Sequence, residues 1–133
     1  MAHDPRALDD AFLAFWRERH IATLTTLRPD GSPHVVPVGV TFDPGTGIAR
    51  VISSRTSRKV RNVLEAGAEG QRVAVCQVDR ARWSTLEGVA VVRQEPAAVA
   101  DAERRYAERY REPRVNPDRV VVEIAVDRVL GRA

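Results

Sequence analysis

At 133 residues, with 21 basic and 18 acidic side chains for a formal net charge of +3 and an isoelectric point near 9.7, the chain is expected to form one domain, 1–133, that favours anionic ligands. The acids are interspersed among the bases, so no nucleic-acid footprint is demanded, and the single cysteine, Cys76, excludes an internal disulfide framework and fits a reducing cytoplasm. No apolar stretch approaches the roughly 20 residues that cross a bilayer, and MAHDPRALDD lacks the basic-then-apolar pattern of a secretory leader, so a soluble cytoplasmic protein without a membrane partner is expected.

Asp4 followed by Pro5 places a cap and an N1 proline where a helix starts, and Leu8, Phe12 and Phe15 give that helix an apolar stripe, predicting a helix over 5–18. His20 to Leu27 is rich in β-branched residues. Pro29, Asp30, Gly31 and Ser32 then make a turn into a second strand, Pro33 to Phe42, with Val36, Val38, Val40 and Phe42 on one face. Pro37 inside that strand cannot donate to a ladder, so it marks either an ordinary edge or a place where something other than a strand approaches. His34 has no second ligand at metal spacing, and His3 and His20 have no constellation either, so no metal site is expected.

The segment Arg50 to Leu64, RVISSRTSRKVRNVL, gathers the most chemistry. Val51 and Ile52 end a strand. Thr56 is the expected cap of a helix whose apolar stripe is Val60, Val63 and Leu64, which leaves the amides of Ser57, Arg58 and Lys59 free. Free amides at a helix start, with the positive end of the helix dipole, make an anion site. The hydroxyls of Ser53, Ser54 and Ser57 and the cations Arg55, Arg58, Lys59 and Arg61 surround it, and Lys59 is the only lysine in the chain. The bland reading of the charges is a solvated basic face. The coincidence of cap, hydroxyls and cations at one strand-to-helix junction favours a phosphate site. No glycine-rich loop is present, which excludes a P-loop or a Rossmann fingerprint.

Arg72 to Val78 and Trp83 to Val92 read as two long strands, the first apolar on both faces, with Cys76 as an inert core thiol. Gly88 in the second suggests a close backbone approach or a bend. Pro96 opens a second long helix with Val99, Ala102, Tyr106 and Tyr110 on one face, and Asp101, Glu103, Arg104, Glu108 and Arg109 as solvated charge pairs on the other. The loop REPRVNPD, 111–118, carries Arg111 and Arg114, which are either exposed loop arginines or candidates for a substrate's carboxylates. Arg119 to Leu130 closes the chain as an alternating strand. About six strands and three helices predict an α+β fold, a small antiparallel barrel. Neither an activated nucleophile with its base nor a converging carboxylate pair is recognisable. An anion cradle without them points to a bound cofactor that performs the reaction, and no catalytic side chain is assigned.

The run Ser57-Arg58-Lys59 after a strand and a short polar turn resembles the phosphate-binding segment of the pyridoxamine 5′-phosphate oxidase-like split β-barrel flavoproteins. The similarity extends to their F420-using branch and, within it, to the biliverdin reductase type, in the blocks His20 to Arg28, Ser32 to Val36, Thr41 to Pro44, Ile48 to Ile52, Arg82 to Gly88 and Arg105 to Val122. This resemblance implies a Greek-key split barrel and a homodimer with its sites at the interface. It implies cofactor contacts from Ser53, Ser54, Arg55, Ser57, Arg58 and Lys59, and from the backbone of Val36, Pro37 and Val38. Trp83 and Leu86 become either pocket walls or core. FMN and coenzyme F420 compete for such a site, and four cations between Arg55 and Arg61 suit the longer anion of F420. The implied reaction is hydride transfer from the reduced deazaflavin to a conjugated small molecule, biliverdin giving bilirubin, with the proton from an arginine or water. An FMN-dependent oxidase or reductase, or a non-enzymatic bilin or haem carrier, remains open. The vitamin-B6 oxidases carry an Arg-x-His pattern in the last strand, where this chain has Arg128-Val129-Leu130, so their substrate is not expected.

Overall fold

The structure, a computed structural model, describes residues 2–133. Eight antiparallel strands and three helices follow one another as β1 (Ala2–His3), α1 (Asp10–Arg17), β2 (Ala22–Leu27), β3 (Pro33–Val38), β4 (Thr41–Asp43), β5 (Ile48–Ser54), α2 (Arg58–Glu65), β6 (Gln71–Asp79), β7 (Arg82–Arg93), α3 (Pro96–Arg109) and β8 (Arg119–Arg132). The sheet runs β3-β2-β6-β7-β8-β5-β4, with β1 added on β8. The two ends of that order, β3 and β4, are consecutive in the chain and do not pair, which leaves the barrel split.

One face of each strand fills the interior, where Leu24, Val38, Val51, Val75, Leu86, Val122 and Ile124 meet Val60 and Val63 of α2 in one cluster. Leu64, expected in that stripe, is 44% exposed, and the fully enclosed Asn62 takes the inward place and donates to Thr26 Oγ1 at 2.9 Å. On the outside, α3 lies against β4, β5 and β8 and buries Ala102. The β2–β6–β7 half of the sheet has no helix on its outer face. There Cys76 is half-buried beside Thr23 and Thr85, so it is not the core thiol expected. At Gly88 the register of β7 on β8 shifts, and a side chain there would overlap the Ala125 carbonyl, so the close approach expected from the sequence is present.

Two boundaries differ from expectation for physical reasons. The first helix starts at Asp10, because the Asp9 carboxylate accepts from the Phe12 amide at 3.1 Å. Asp4 instead holds a turn, accepting from Arg6 N at 2.9 Å, and β1 precedes it. The expected strand Pro33 to Phe42 breaks at Gly39 and Val40. A Cβ on Gly39 would stand 2.7 Å from Cε2 of Tyr106, so only glycine lets α3 come this close.

The break is fastened from α3. The Tyr110 hydroxyl donates to the His20 carbonyl at 2.6 Å and accepts from Val40 N at 3.1 Å. Arg109, expected among the solvated charges, is turned inward. Its Nε and Nη2 donate to the Glu18 carbonyl (2.8 and 2.6 Å), Nη1 to the Val40 carbonyl (2.6 Å) and Nη2 also to Gln77 Oε1 (2.9 Å). Among the described residues no carboxylate forms an ion pair with it, and burial lowers its pKa from the ordinary arginine range. The solvated pairs of this helix are those of Arg104 with Asp101 and Glu108.

Removing Arg109 leaves three acceptors without their donor. Arg109→Ala is expected to destabilise by about 3 kcal/mol, a fall of roughly 10 °C in Tm, and Arg109→Lys by nearly as much because one ammonium cannot span the three. Thermal unfolding followed by circular dichroism reads this, and a Tm within a degree or two of wild type would show that water replaces the guanidinium.

Candidate functional site

A cleft of about 560 Å³ opens between the end of β3 and the end of β5. Pro37, Val38 and Gly39 form one wall at the end of β3, and Ile52, Ser53 and Ser54 form the other at the end of β5. Lys59 reaches it from the first turn of α2, and Tyr106 from the last turns of α3. Arg111, Arg114, Asn116 and Arg119 close it from the loop before β8 and the start of that strand.

The strand-to-helix junction is built one residue later than the sequence implied. Ser57, not Thr56, is the N-cap, and its side chain makes no capping bond. Its amide donates to the Ser54 carbonyl at 3.0 Å, while the Ser57 and Ser53 hydroxyls bond each other at 2.9 Å. The free amides of the first turn are therefore those of Arg58, Lys59 and Val60 rather than Ser57, Arg58 and Lys59. Without a capping bond at Ser57, the positive end of the helix is left for another acceptor.

The cations divide differently than the sequence suggested. Of the four between Arg55 and Arg61, only Lys59 lines the cleft. Arg58 is committed along its own helix to Glu65 at 2.8 Å, and Arg55 and Arg61 are exposed. Arg111 and Arg114, far off in sequence, supply the charge instead. Their loop is tied at its far end. Asn116 Nδ2 donates to Ser54 Oγ at 2.9 Å, Arg55 N donates to the Asp118 carbonyl at 2.9 Å, and Arg119 pairs with Glu103 at 2.7 Å.

No carboxylate lines the cleft, and among the described residues Lys59, Arg111 and Arg114 form no ion pair. Burial lowers the Lys59 pKa from its ordinary value, the response of an ammonium that lacks a counter-charge. His34, on β3, is likewise pushed down, by burial first and then by Arg28, Lys59 and Arg58. An unneutralised group of cations walled by two hydroxyls and free helix amides is suited to a polyanion with at least one phosphate-like group.

Leu86 is fully enclosed in the core and offers the cleft no surface. Trp83 is half-buried on β7 and does not line this chain's cleft. Val36 packs on the core, which leaves Pro37 and Val38 as the residues of that trio along the cleft. Sequence reasoning missed Gly39, Asn116 and Arg119 as cleft residues and placed Tyr106 only on a helix face. The glycine within an expected strand was the one available signal.

One further cluster departs from expectation. His20 does sit in a constellation, with Glu18 and Asp79, its ligand atoms within 4.8 Å of theirs. Arg82 already bonds both carboxylates, Glu18 at 2.9 Å and Asp79 at 2.6 Å. First Arg82 and then His20 hold the Glu18 carboxyl at about 2. The guanidinium thus takes the cation's place.

The family model described as pyridoxamine 5′-phosphate oxidase matches residues 8–133. The chain is 54% identical over 133 residues, all of it and 94% of the relative, to an F420H(2)-dependent biliverdin reductase of Mycobacterium tuberculosis (strain CDC 1551 / Oshkosh). Among solved structures, a conserved hypothetical protein of Mycobacterium tuberculosis superposes with a TM-score of 0.75 at 24% identity, covering 95% of this chain and 85% of that one. A structure described as an F420 reductase gives 0.72 at 20%, covering 92% and 98%. At those identities the two structures speak for the split-barrel fold. With the family match spanning nearly the whole chain, this protein belongs to the pyridoxamine 5′-phosphate oxidase family.

Proposed function

We propose that this protein is an F420-dependent oxidoreductase that reduces a conjugated small molecule, with biliverdin, giving bilirubin, as the favoured substrate. The observation that carries this reading is the full-length 54% identity to a relative named for that activity. The cleft agrees with it. A phosphate on the coenzyme's arm answers Lys59 and the first-turn amides of α2, which leaves the loop arginines for a second anionic molecule, a carboxylate-bearing substrate. The hydroxyls of Ser53 and Ser54, Lys59 and the first-turn amides of α2 are suited to hold that arm. Reduced F420, when bound, supplies a hydride equivalent to the acceptor.

The chain's own part is positional. The backbone of Pro37 to Gly39, on the edge strand, offers a flat wall to a ring. In this reading Arg111 and Arg114, which line the cleft on the loop tied by the Asn116–Ser54 bond, take the substrate's carboxylates. The accompanying proton reaches the acceptor from an arginine or from water entering the open cleft.

The reading includes a homodimer and a cytoplasmic setting. The uncovered outer face of β3, β2, β6 and β7 supports the dimer. Ile21 (64% exposed), Val35 (56%) and Val78 (65%) stand on it around the small residues Thr23, Thr25, Ala74 and Cys76. So much apolar surface on one side of a sheet is typical of an interface. The half-exposed free thiol of Cys76 supports a reducing compartment.

Fluorescence titration of the purified protein is expected to give micromolar or tighter binding of F420 and at least tenfold weaker binding of FMN. Copurified FMN that resists exchange would replace this reading with a flavin enzyme. Lys59→Ala should weaken F420 binding at least tenfold with Tm little changed, since the ammonium has no partner in the fold to lose. An unaltered affinity would remove Lys59 from the site. Sedimentation velocity should give a dimer for the wild type and a monomer for Val78→Glu, and a monomeric wild type would end the interface assignment.

A further inference from the structure

We infer that Tyr106 is a specificity residue whose ring face packs against the conjugated plane of the electron acceptor, an inference that rests on the reductase reading above. Among the described residues Tyr106 is the only aromatic side chain lining the cleft, whose other surfaces are strand backbone, aliphatic, amide and hydroxyl groups and cations. A planar conjugated molecule gains most from a flat, rigid, polarisable neighbour.

The ring is held before any ligand arrives. It lies on Tyr110 with centroids 5.0 Å apart and planes at 34°. Tyr110 is itself locked by its bonds to the His20 carbonyl and the Val40 amide. On the other side the ring edge rests on Gly39, where a Cβ would come within 2.7 Å of Cε2. Gly39 has no left-handed backbone angle. Clearance for this ring is therefore what its missing side chain provides. Ring and glycine together continue the wall begun by Pro37 and Val38.

The Tyr106 hydroxyl makes no hydrogen bond to any described residue, in contrast to that of Tyr110. The hydroxyl is therefore not what holds the ring, which Tyr110 and Gly39 position. Arg111 follows Tyr106 by five positions and lines the same cleft, as does Arg114. An acceptor whose carboxylates pair with these two cations is thereby drawn over the adjacent Tyr106 ring. The acceptor class this selects is planar, extended in conjugation and carboxylate-bearing.

The test uses Tyr106→Leu and Tyr106→Phe in the full chain, with biliverdin as the probe. Three readouts are taken: biliverdin binding by absorbance with and without oxidised F420, KM and kcat with reduced F420, and the F420 Kd. Tyr106→Leu is expected to weaken biliverdin binding and raise KM about five- to tenfold, with kcat and the F420 Kd within about twofold. Tyr106→Phe should stay close to wild type. An unchanged biliverdin affinity in Tyr106→Leu overturns the inference, and so does a parallel loss of F420 binding, which would make the ring a support of the coenzyme site. Wild-type protein that does not bind biliverdin overturns it as well. Biliverdin binding without F420H₂-dependent turnover would sink the assigned reaction while the binding titration still reads Tyr106.

Discussion

The last turn of α3 is where the molecule is fastened together. Arg109 and Tyr110, adjacent in sequence, together reach the carbonyls of Glu18, His20 and Val40 and the side chain of Gln77. Gln77 in turn donates to the Phe15 carbonyl at 2.9 Å. The end of α1, the entry to β2, the β3–β4 break and the last residues of β6 thus share one polar knot. Each of these carbonyls would cost on the order of 1–3 kcal/mol if buried unpaired. One guanidinium answers several, which outweighs its own desolvation. Because the sheet does not close between β3 and β4, this knot stands where strand pairing would otherwise hold the two halves together.

What the knot leaves open is the cleft. The loop leaving α3 starts at the knot and ends at Asn116 on Ser54 and at Arg119 on Glu103. Arg111 and Arg114 lie between these anchors, exposed and without acidic partners. Elsewhere, Arg105 of α3 is matched with Asp101 and Asp43, and Arg50 with Asp101. Leaving Lys59, Arg111 and Arg114 unmatched around one cleft costs folding stability through mutual repulsion and, at Lys59, desolvation. A bound polyanion reverses both terms. The same arrangement therefore weakens the empty fold and strengthens the complex.

Strand pattern was legible in the sequence wherever one face is buried. Val120, Val122 and Ile124 alternate as read and are fully enclosed. The strand-to-helix junction was legible too, because strand, hydroxyls and helix start lie within a dozen residues, although Ser57 rather than Thr56 became the cap. Between Asp4 and Asp9 the local pattern favoured the residue followed by proline. Only the three-dimensional path of the chain made Asp9 the cap. Arg109 was unreadable because every acceptor it meets is at least 32 positions away, so its helix spacing matched a solvated pair while its partners were distant carbonyls. Arg111 and Arg114 were visible as unexplained cations. Their convergence with Lys59 depends on the loop folding back over β5, which no local spacing encodes.

The cleft and the uncovered sheet face meet along one residue. Pro37 lines the cleft, and it also heads a row across the outer face in which it stands beside Thr23, then Cys76, Thr85 and Leu130. As an edge residue without an amide hydrogen it cannot recruit a further strand, so the edge stays open to a ligand instead of to a neighbouring chain's backbone. Ile21, Val78 and Trp83 lie in the adjacent outer row, on the same uncovered surface. In the proposed dimer, a second copy covering these rows would necessarily abut the Pro37 side of the cleft. Trp83 does not line its own chain's cleft, so any contact it makes with a bound molecule would have to be across that boundary. In that dimer the partner would complete the wall on the ring side of the cleft, and association would be coupled to the site through a single proline.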